Sequence, residues 1–190
     1  KIKDDPSYWQ AYFELGVEAN INRRYPESVA AFKKAIQFMP GYLPAYVNLG
    51  YVLCEMREFA DAEAILKRAL EIEPRSDEAY CNLAVVYMRT KKLSHAEECL
   101  RRALAINPLY ANAYSNLGKT LAMQQRLSEA AQVYHRLIEV LPTSPQARAE
   151  LGALYLAGGV PENAERYLLQ AAAAEPPIPA VLYHLGLLYQ

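Results

Sequence analysis

Residues 43–76 read LPAYVNLGYVLCEMREFADAEAILKRALEIEPRS, and residues 77–110 read DEAYCNLAVVYMRTKKLSHAEECLRRALAINPLY. Set one above the other, the two stretches agree wherever a packed helix pair needs a particular side chain. The fourth place is tyrosine (Tyr46, Tyr80), the sixth asparagine (Asn48, Asn82) and the seventh leucine (Leu49, Leu83). The eighth is small (Gly50, Ala84), the twentieth alanine (Ala62, Ala96) and the twenty-fourth leucine (Leu66, Leu100). The frame extends both ways without insertion or deletion, because Pro6, Pro40, Pro74, Pro108, Pro142 and Pro176 follow one another at intervals of 34 residues. A strict period of this size marks a stack of supersecondary units, each burying its apolar face against the next. The expected organisation of residues 1–190 is therefore a single array. It comprises the tail of a preceding repeat (1–8), five full repeats (9–42, 43–76, 77–110, 111–144, 145–178) and the first helix of a sixth (179–190).

Positions 4, 7, 8 and 11 of each unit share one face at the helical spacing of 3.6 residues. Positions 20, 24, 27 and 28 do the same on a second helix. The eighth position runs Gly16, Gly50, Ala84, Gly118, Gly152, Gly186, and the twenty-fourth Phe32, Leu66, Leu100, Tyr134, Leu168. Small residues let two backbones approach, and the bulky ones fill the space around the contact. The proline at position 32 cannot continue the second helix without losing a hydrogen bond and clashing, so it ends each unit. The fold class is all-α. Departures from the pattern are Arg148 and Leu182 in place of tyrosine at position 4, Leu137 in place of alanine at position 27, and Gly158-Gly159 followed by Pro161. That last inter-helix turn is expected to be looser than its counterparts.

The net charge of −1 offers no bulk attraction to nucleic acid or to an anionic membrane. No apolar run approaches the roughly 20 residues of a spanning helix, so membrane insertion is not expected, and the first residues are not expected to be a signal peptide. Cys54, Cys81 and Cys99, odd in number and sparsely placed, are not a disulfide framework. As free thiols they favour a reducing, cytoplasmic setting, although a parent protein could be membrane-anchored or exported. His95 and Cys99 stand four apart on a helix, but no third ligand accompanies them. No metal or cofactor is expected. A glycine-rich phosphate loop, a nucleophile elbow, HExxH and CxxC are all missing, which points away from an enzyme. The basic pairs Lys33-Lys34, Lys67-Arg68, Arg101-Arg102 and His135-Arg136 form a stripe. Glu63 to Lys67 and Glu97 to Arg101 stand in the favourable i,i+4 order, so a solvated ion-pair face is preferred to a nucleic-acid surface. Both ends fall inside a repeat, and the apolar segment 182–189 lacks a second helix. The chain is expected to be an excerpt of a longer protein and to associate with itself through that segment.

Length, order and residue types in five consecutive copies resemble the tetratricopeptide repeat, over essentially all 190 residues. The resemblance implies a right-handed superhelical solenoid of antiparallel helix pairs, with positions 2, 6, 9 and 13 of the first helices lining a concave groove. Position 6 reads Glu14, Asn48, Asn82, Asn116, Glu150, His184. Asparagine is a poor helix former, so three in register argue for a purpose. A row of carboxamides can bond the backbone of an extended peptide whatever its side chains. The row is similar to that in the tetratricopeptide region of O-linked N-acetylglucosamine transferases. Tyr51 and Lys119 at position 9, Glu55 and Arg89 at position 13, and Asn112 at position 2 complete the candidate groove; Arg89 and Lys119 could meet an acidic ligand residue or pair with Glu55 and Glu78. The family's two-carboxylate clamp for chaperone tails requires lysine at position 5 and asparagine at position 9, and neither occurs. The expectation is a non-catalytic module for a protein or peptide ligand. The alternatives are a self-assembling scaffold and the substrate-recruiting region of a larger enzyme such as a glycosyltransferase.

Overall fold

The structure is a computed structural model and describes residues 8–189. The expected repeat tail at 1–8 lies outside these residues except for Tyr8. Eleven α-helices and no strand occur among the described residues. They are α1 (Trp9–Ile21), α2 (Tyr25–Phe38), α3 (Leu43–Glu55), α4 (Phe59–Ile72), α5 (Asp77–Arg89), α6 (Leu93–Ile106), α7 (Ala111–Met123), α8 (Leu127–Val140), α9 (Pro145–Ala157), α10 (Pro161–Ala172) and α11 (Pro179–Leu188). They fall into two compact units, one ending at Ile106 and one beginning at Asn107.

Paired helices run antiparallel. Tyr12 meets Phe38 at 5.7 Å and Phe13 meets Phe32 at 5.7 Å. The Ser28 hydroxyl then donates to the Gly16 carbonyl at 2.7 Å, so partners in α2 recede as α1 advances. The eighth position explains how closely the helices approach. A Cβ placed on Gly50 would lie 2.5 Å from Leu66, on Gly118 2.5 Å from Tyr134, and on Gly152 2.8 Å from Leu168. All three glycines are buried. Ala84 occupies the same place in the third repeat, and both it and Leu100 are fully buried. Alanines 62, 96, 130 and 164 at position 20 are also inaccessible. The consequence is a close contact between the two helices of each pair.

Each pair is joined by three residues, the middle one left-handed. Arg23, Arg57, Lys91 and Gln125 have φ of 56°, 65°, 61° and 63°, and Gly159 has 71°. The following N–H reaches back over the helix end, as in Arg24 to the Ala19 carbonyl (2.8 Å), Lys92 to Tyr87 (2.8 Å) and Val160 to Tyr155 (2.9 Å). This bond caps an otherwise unpaired carbonyl. The Gly158-Gly159 turn therefore has the conformation of the other four and is not looser. Glycine takes there the backbone that a side chain elsewhere adopts at a cost of about 1–2 kcal/mol. Pro161 lies past the turn, at the start of α10, where its missing N–H would be unpaired in any case.

The departure at Arg148 has a similar account. Tyr46 donates its hydroxyl to the Pro40 carbonyl at 2.9 Å, and Tyr114 to Pro108 at 3.1 Å. Arg148 reaches the corresponding Pro142 carbonyl with Nη2 at 2.5 Å and adds a bond to Ser144 at 3.1 Å. In the second, fourth and fifth repeats position 4 supplies a donor to the carbonyl of the preceding proline, and either a phenol or a guanidinium can do so.

Candidate functional site

In the first unit, positions 6, 9 and 13 of α3 and α5 form one surface. Asn48 and Asn82 are half-buried. The Asn48 Nδ2 donates to the Pro44 carbonyl one turn back at 2.8 Å, and the Asn82 Nδ2 reaches the Val47 carbonyl of α3 at 3.5 Å. Each amide spends a donor on main chain, and neither Oδ1 accepts a hydrogen bond among the described residues. At the far end, Arg89 of α5 pairs with Glu55 of α3 at 3.7 Å. Between them Tyr51 is exposed over 42% of its surface. Partial burial raises its hydroxyl pKa, and Glu55 and Tyr25 add to the shift. The structure thus brings Asn48, Tyr51, Glu55, Asn82 and Arg89 onto neighbouring helices, with the Arg89 charge already matched.

In the second unit, Asn112 and Lys119 are exposed on α7 and Asn116 is half-buried there. The Lys119 ammonium lies 2.7 Å from a Glu150 oxygen and 3.0 Å from the Ser115 hydroxyl. That hydroxyl donates to the same Glu150 carboxylate at 2.8 Å. Lys119 therefore finds its counter-ion on α9, at Glu150. Ser115 and Glu150 are the residues that reading the sequence missed. Their registers, positions 5 and 6 of consecutive repeats, were the available signal.

The second-helix basic pairs are largely neutralised: Lys67 meets Glu63 at 2.7 Å, Arg101 meets Glu97 at 2.8 Å and Arg102 meets Glu98 at 2.8 Å. Glu63 is the centre of a cluster that also takes Lys92 at 3.1 Å and the Tyr87 hydroxyl at 3.2 Å. Hydrogen bonding from Lys67, then from Lys92 and Tyr87, holds its carboxyl down at about 2, against the opposing effect of burial. A carboxyl depressed in the folded state contributes stability above its unfolded pKa and loses it as pH falls through the folded value. We therefore expect Glu63→Gln to cost about 1–2 kcal/mol at pH 7. This is less than the whole shift implies, because both lysines are about half exposed and screened. The difference from the parent protein should shrink between about pH 4.5 and pH 2. Urea titrations across that range check it, and a pH-independent difference refutes it.

Cys54, Cys81 and Cys99 are buried, and none of them is in a disulfide. Burial pushes Cys99 up to about 11, and His95 packs its ring against Tyr87 at 5.3 Å. No group of three or more His, Cys, Asp and Glu side chains that could hold a metal occurs among the described residues. None of their helices is long and apolar enough to cross a membrane.

Comparison with known proteins agrees with this architecture. No curated protein sequence matches the chain. Among solved structures, a tetratricopeptide protein of Thermus thermophilus, TTC0263, is 22% identical, with a TM-score of 0.80 over 96% of this chain and 100% of its own. A MamA structure is 25% identical, with a TM-score of 0.70 over 83% of this chain and 92% of its own. YrrB, a tetratricopeptide protein with an unusual peptide-binding site, is 20% identical, with a TM-score of 0.69 over 92% and 90%. Tetratricopeptide repeat family models match residues 20–80, 56–120 and 111–141. With more than half of its length matched and its helix pairs closed by the same small-residue contacts, the chain belongs to the tetratricopeptide repeat family, whose arrays serve as protein-interaction modules.

Proposed function

We propose that the chain is a non-catalytic interaction module that holds an extended peptide or partner segment on the first-helix faces of its repeats. The observation that carries this reading is the pair Asn48 and Asn82. They occupy equivalent places on adjacent first helices, each with a carboxamide oxygen left for an incoming N–H. Tyr51 beside them offers an amphipathic contact of the kind enriched at interfaces, and Asn116 is the equivalent residue in the second unit. The peptide-binding site named for YrrB makes such a use of the fold a precedent.

Changing Asn48, Asn82 and Asn116 together to alanine should weaken a bound peptide about tenfold or more, at roughly 1 kcal/mol for each lost hydrogen bond. The melting temperature should hardly move. Peptides from a random library, titrated by fluorescence anisotropy, give the measurement. Unchanged affinity would mean that the amides serve only the helices that carry them.

A second reading is self-association through α11, favoured by Gly186. An added Cβ there would meet nothing within 4 Å, whereas at Gly16 it would meet Phe32 at 2.6 Å. Leu182, Tyr183 and Tyr189 beside it are exposed over 58%, 65% and 64% of their surfaces. Light scattering should then show a mass that rises with concentration, and a constant monomer mass rejects this reading.

A further inference from the structure

Position 11 of the first helix is tyrosine at Tyr87, Tyr155 and Tyr189. Two of these phenols are answered by the repeat before them. The Tyr87 hydroxyl donates to Glu63 at 3.2 Å, and the Tyr189 hydroxyl to Glu165 at 2.5 Å. Both glutamates stand at position 21, which reads Val29, Glu63, Glu97, Ala131, Glu165 along the chain. Tyr155 follows the repeat whose position 21 is Ala131, so no glutamate meets it there. At this junction of α8 and α9 lies a cavity of about 280 Å³, bordered by Ala131 and Tyr155 together with Leu127, Ser128, Leu154 and Val160.

The first unit shows what fills the corresponding place. At the registers of Ala131, Tyr155 and Val160 it carries Glu63, Tyr87 and Lys92. The Glu63 carboxylate takes the Tyr87 hydroxyl and lies 3.1 Å from the Lys92 ammonium, so a carboxylate and its counter-ion close that junction. Between the fourth and fifth repeats both are replaced, by alanine and valine, while the phenol that serves the carboxylate is kept. Glu165 takes Tyr189 and forms no ion pair among the described residues, so the pairing does not need a lysine.

The groups around Tyr155 leave it able to serve a carboxylate. Its hydroxyl lies 3.3 Å from Nε2 of His135, one turn beyond Ala131 on α8, which places it over the helix face that carries both. With the ring proton of His135 on Nε2, that N–H donates to the phenol oxygen and the phenol O–H is left for an incoming acceptor. Tyr155 also stacks on Tyr167 at 5.8 Å and 12°, and the Arg166 guanidinium lies 4.6 Å from the centre of the Tyr167 ring. Arg166 forms no ion pair among the described residues; its Nη2 donates to the Tyr167 hydroxyl. The cluster thus holds a positive charge without a counter-ion and a phenol without the glutamate that its two counterparts have.

We infer that the α8–α9 cavity takes the carboxylate side chain of an acidic residue from a partner protein, in the place that Glu63 fills in the first unit, with Tyr155 as its donor. The site uses positions 10 and 11 of a first helix and 17, 18 and 21 of a second. None of these is a groove position, so the inference stands apart from the peptide-groove reading.

The test selects phage-displayed random peptides on the full 190-residue chain and, in parallel, on Ala131→Glu. The variant copies the register of Glu63 and Glu165 and puts the chain's own carboxylate in the cavity. Should it lower the melting temperature, Tyr155→Phe, which removes the donor and little else, replaces it in the selection. Peptides recovered on the parent and not on the variant should share an aspartate or glutamate at a fixed place. Made synthetically and titrated by fluorescence anisotropy, they should bind Tyr155→Phe about tenfold or more weakly than the parent. Changing the shared acid to its amide should cost a similar factor on the parent and little on Tyr155→Phe, because the hydrogen bond is already gone. An equal cost on both chains, or discriminating peptides without a common acidic residue, refutes the site. If no peptide discriminates between parent and variant, the site is refuted as well, and the groove reading stands if those peptides weaken on the triple asparagine change.

Discussion

Phe32→Ala should lower the stability of the first unit by about 3–5 kcal/mol. Phe32 is fully buried, its ring fills the place where a Cβ on Gly16 would sit 2.6 Å away, and it packs on Phe13 at 5.7 Å. Removing the ring leaves a cavity between two helices that glycine has already brought to their closest approach. Neither can move in to refill it, so the cavity term adds to the lost burial. Trp9, the one tryptophan of the chain, packs on Tyr42 at 4.5 Å, and its fluorescence in urea reports this unit. A loss under about 1 kcal/mol, the range of a mild core trimming, would show that position 24 does not anchor the pair.

The opposite manipulation should be nearly as costly in the second unit. Gly118→Leu is expected to destabilise by about 3 kcal/mol, at the upper end of overpacking effects. The first added atom would already lie 2.5 Å from the Tyr134 ring. That ring is buried enough to push its hydroxyl pKa well up, with Glu150 adding to the shift, so it has no solvent to retreat into. Gly118→Ala should cost less, because it adds one atom instead of four, although that Cβ already meets the Tyr134 ring; in the third repeat Ala84 is accommodated by the smaller Leu100. Far-UV circular dichroism in urea separates the two variants. Equal losses would indicate that volume at position 8 is not what matters.

The helix-pair architecture is legible in the sequence wherever a residue answers to its near neighbours. Glycine or alanine at position 8, alanine at 20 and a bulky residue at 24 announce a close contact, and proline announces its end. Arg148 was less legible. Its type breaks the pattern, but its long side chain delivers a donor to the same carbonyl as tyrosine, a matter of reach rather than residue class. The turn at Gly158-Gly159 misled for a related reason. Glycine suggests freedom, yet here it occupies a conformation that all five turns impose. The Glu63 cluster draws on α4, α5 and the turn after α5, so no local window contains it. In the candidate groove, the registers of Asn48 and Asn82 were readable, but their bonds to Pro44 and Val47 and the Lys119–Glu150 pair depend on how successive repeats stack.

The placement of the thiols has an experimental use. Cys54 lies on α3, Cys81 on α5 and Cys99 on α6, so all three belong to the unit ending at Ile106. The other unit has none. A buried thiol reacts with an alkylating or disulfide reagent only when its surroundings open. The rate of labelling in native buffer is therefore a clock for opening of the first six helices alone, with the remaining five silent. Mass spectrometry of labelled peptides would resolve the three sites. It would show whether α3, α5 and α6 open together or one repeat at a time, as stacked units coupled only to their neighbours allow.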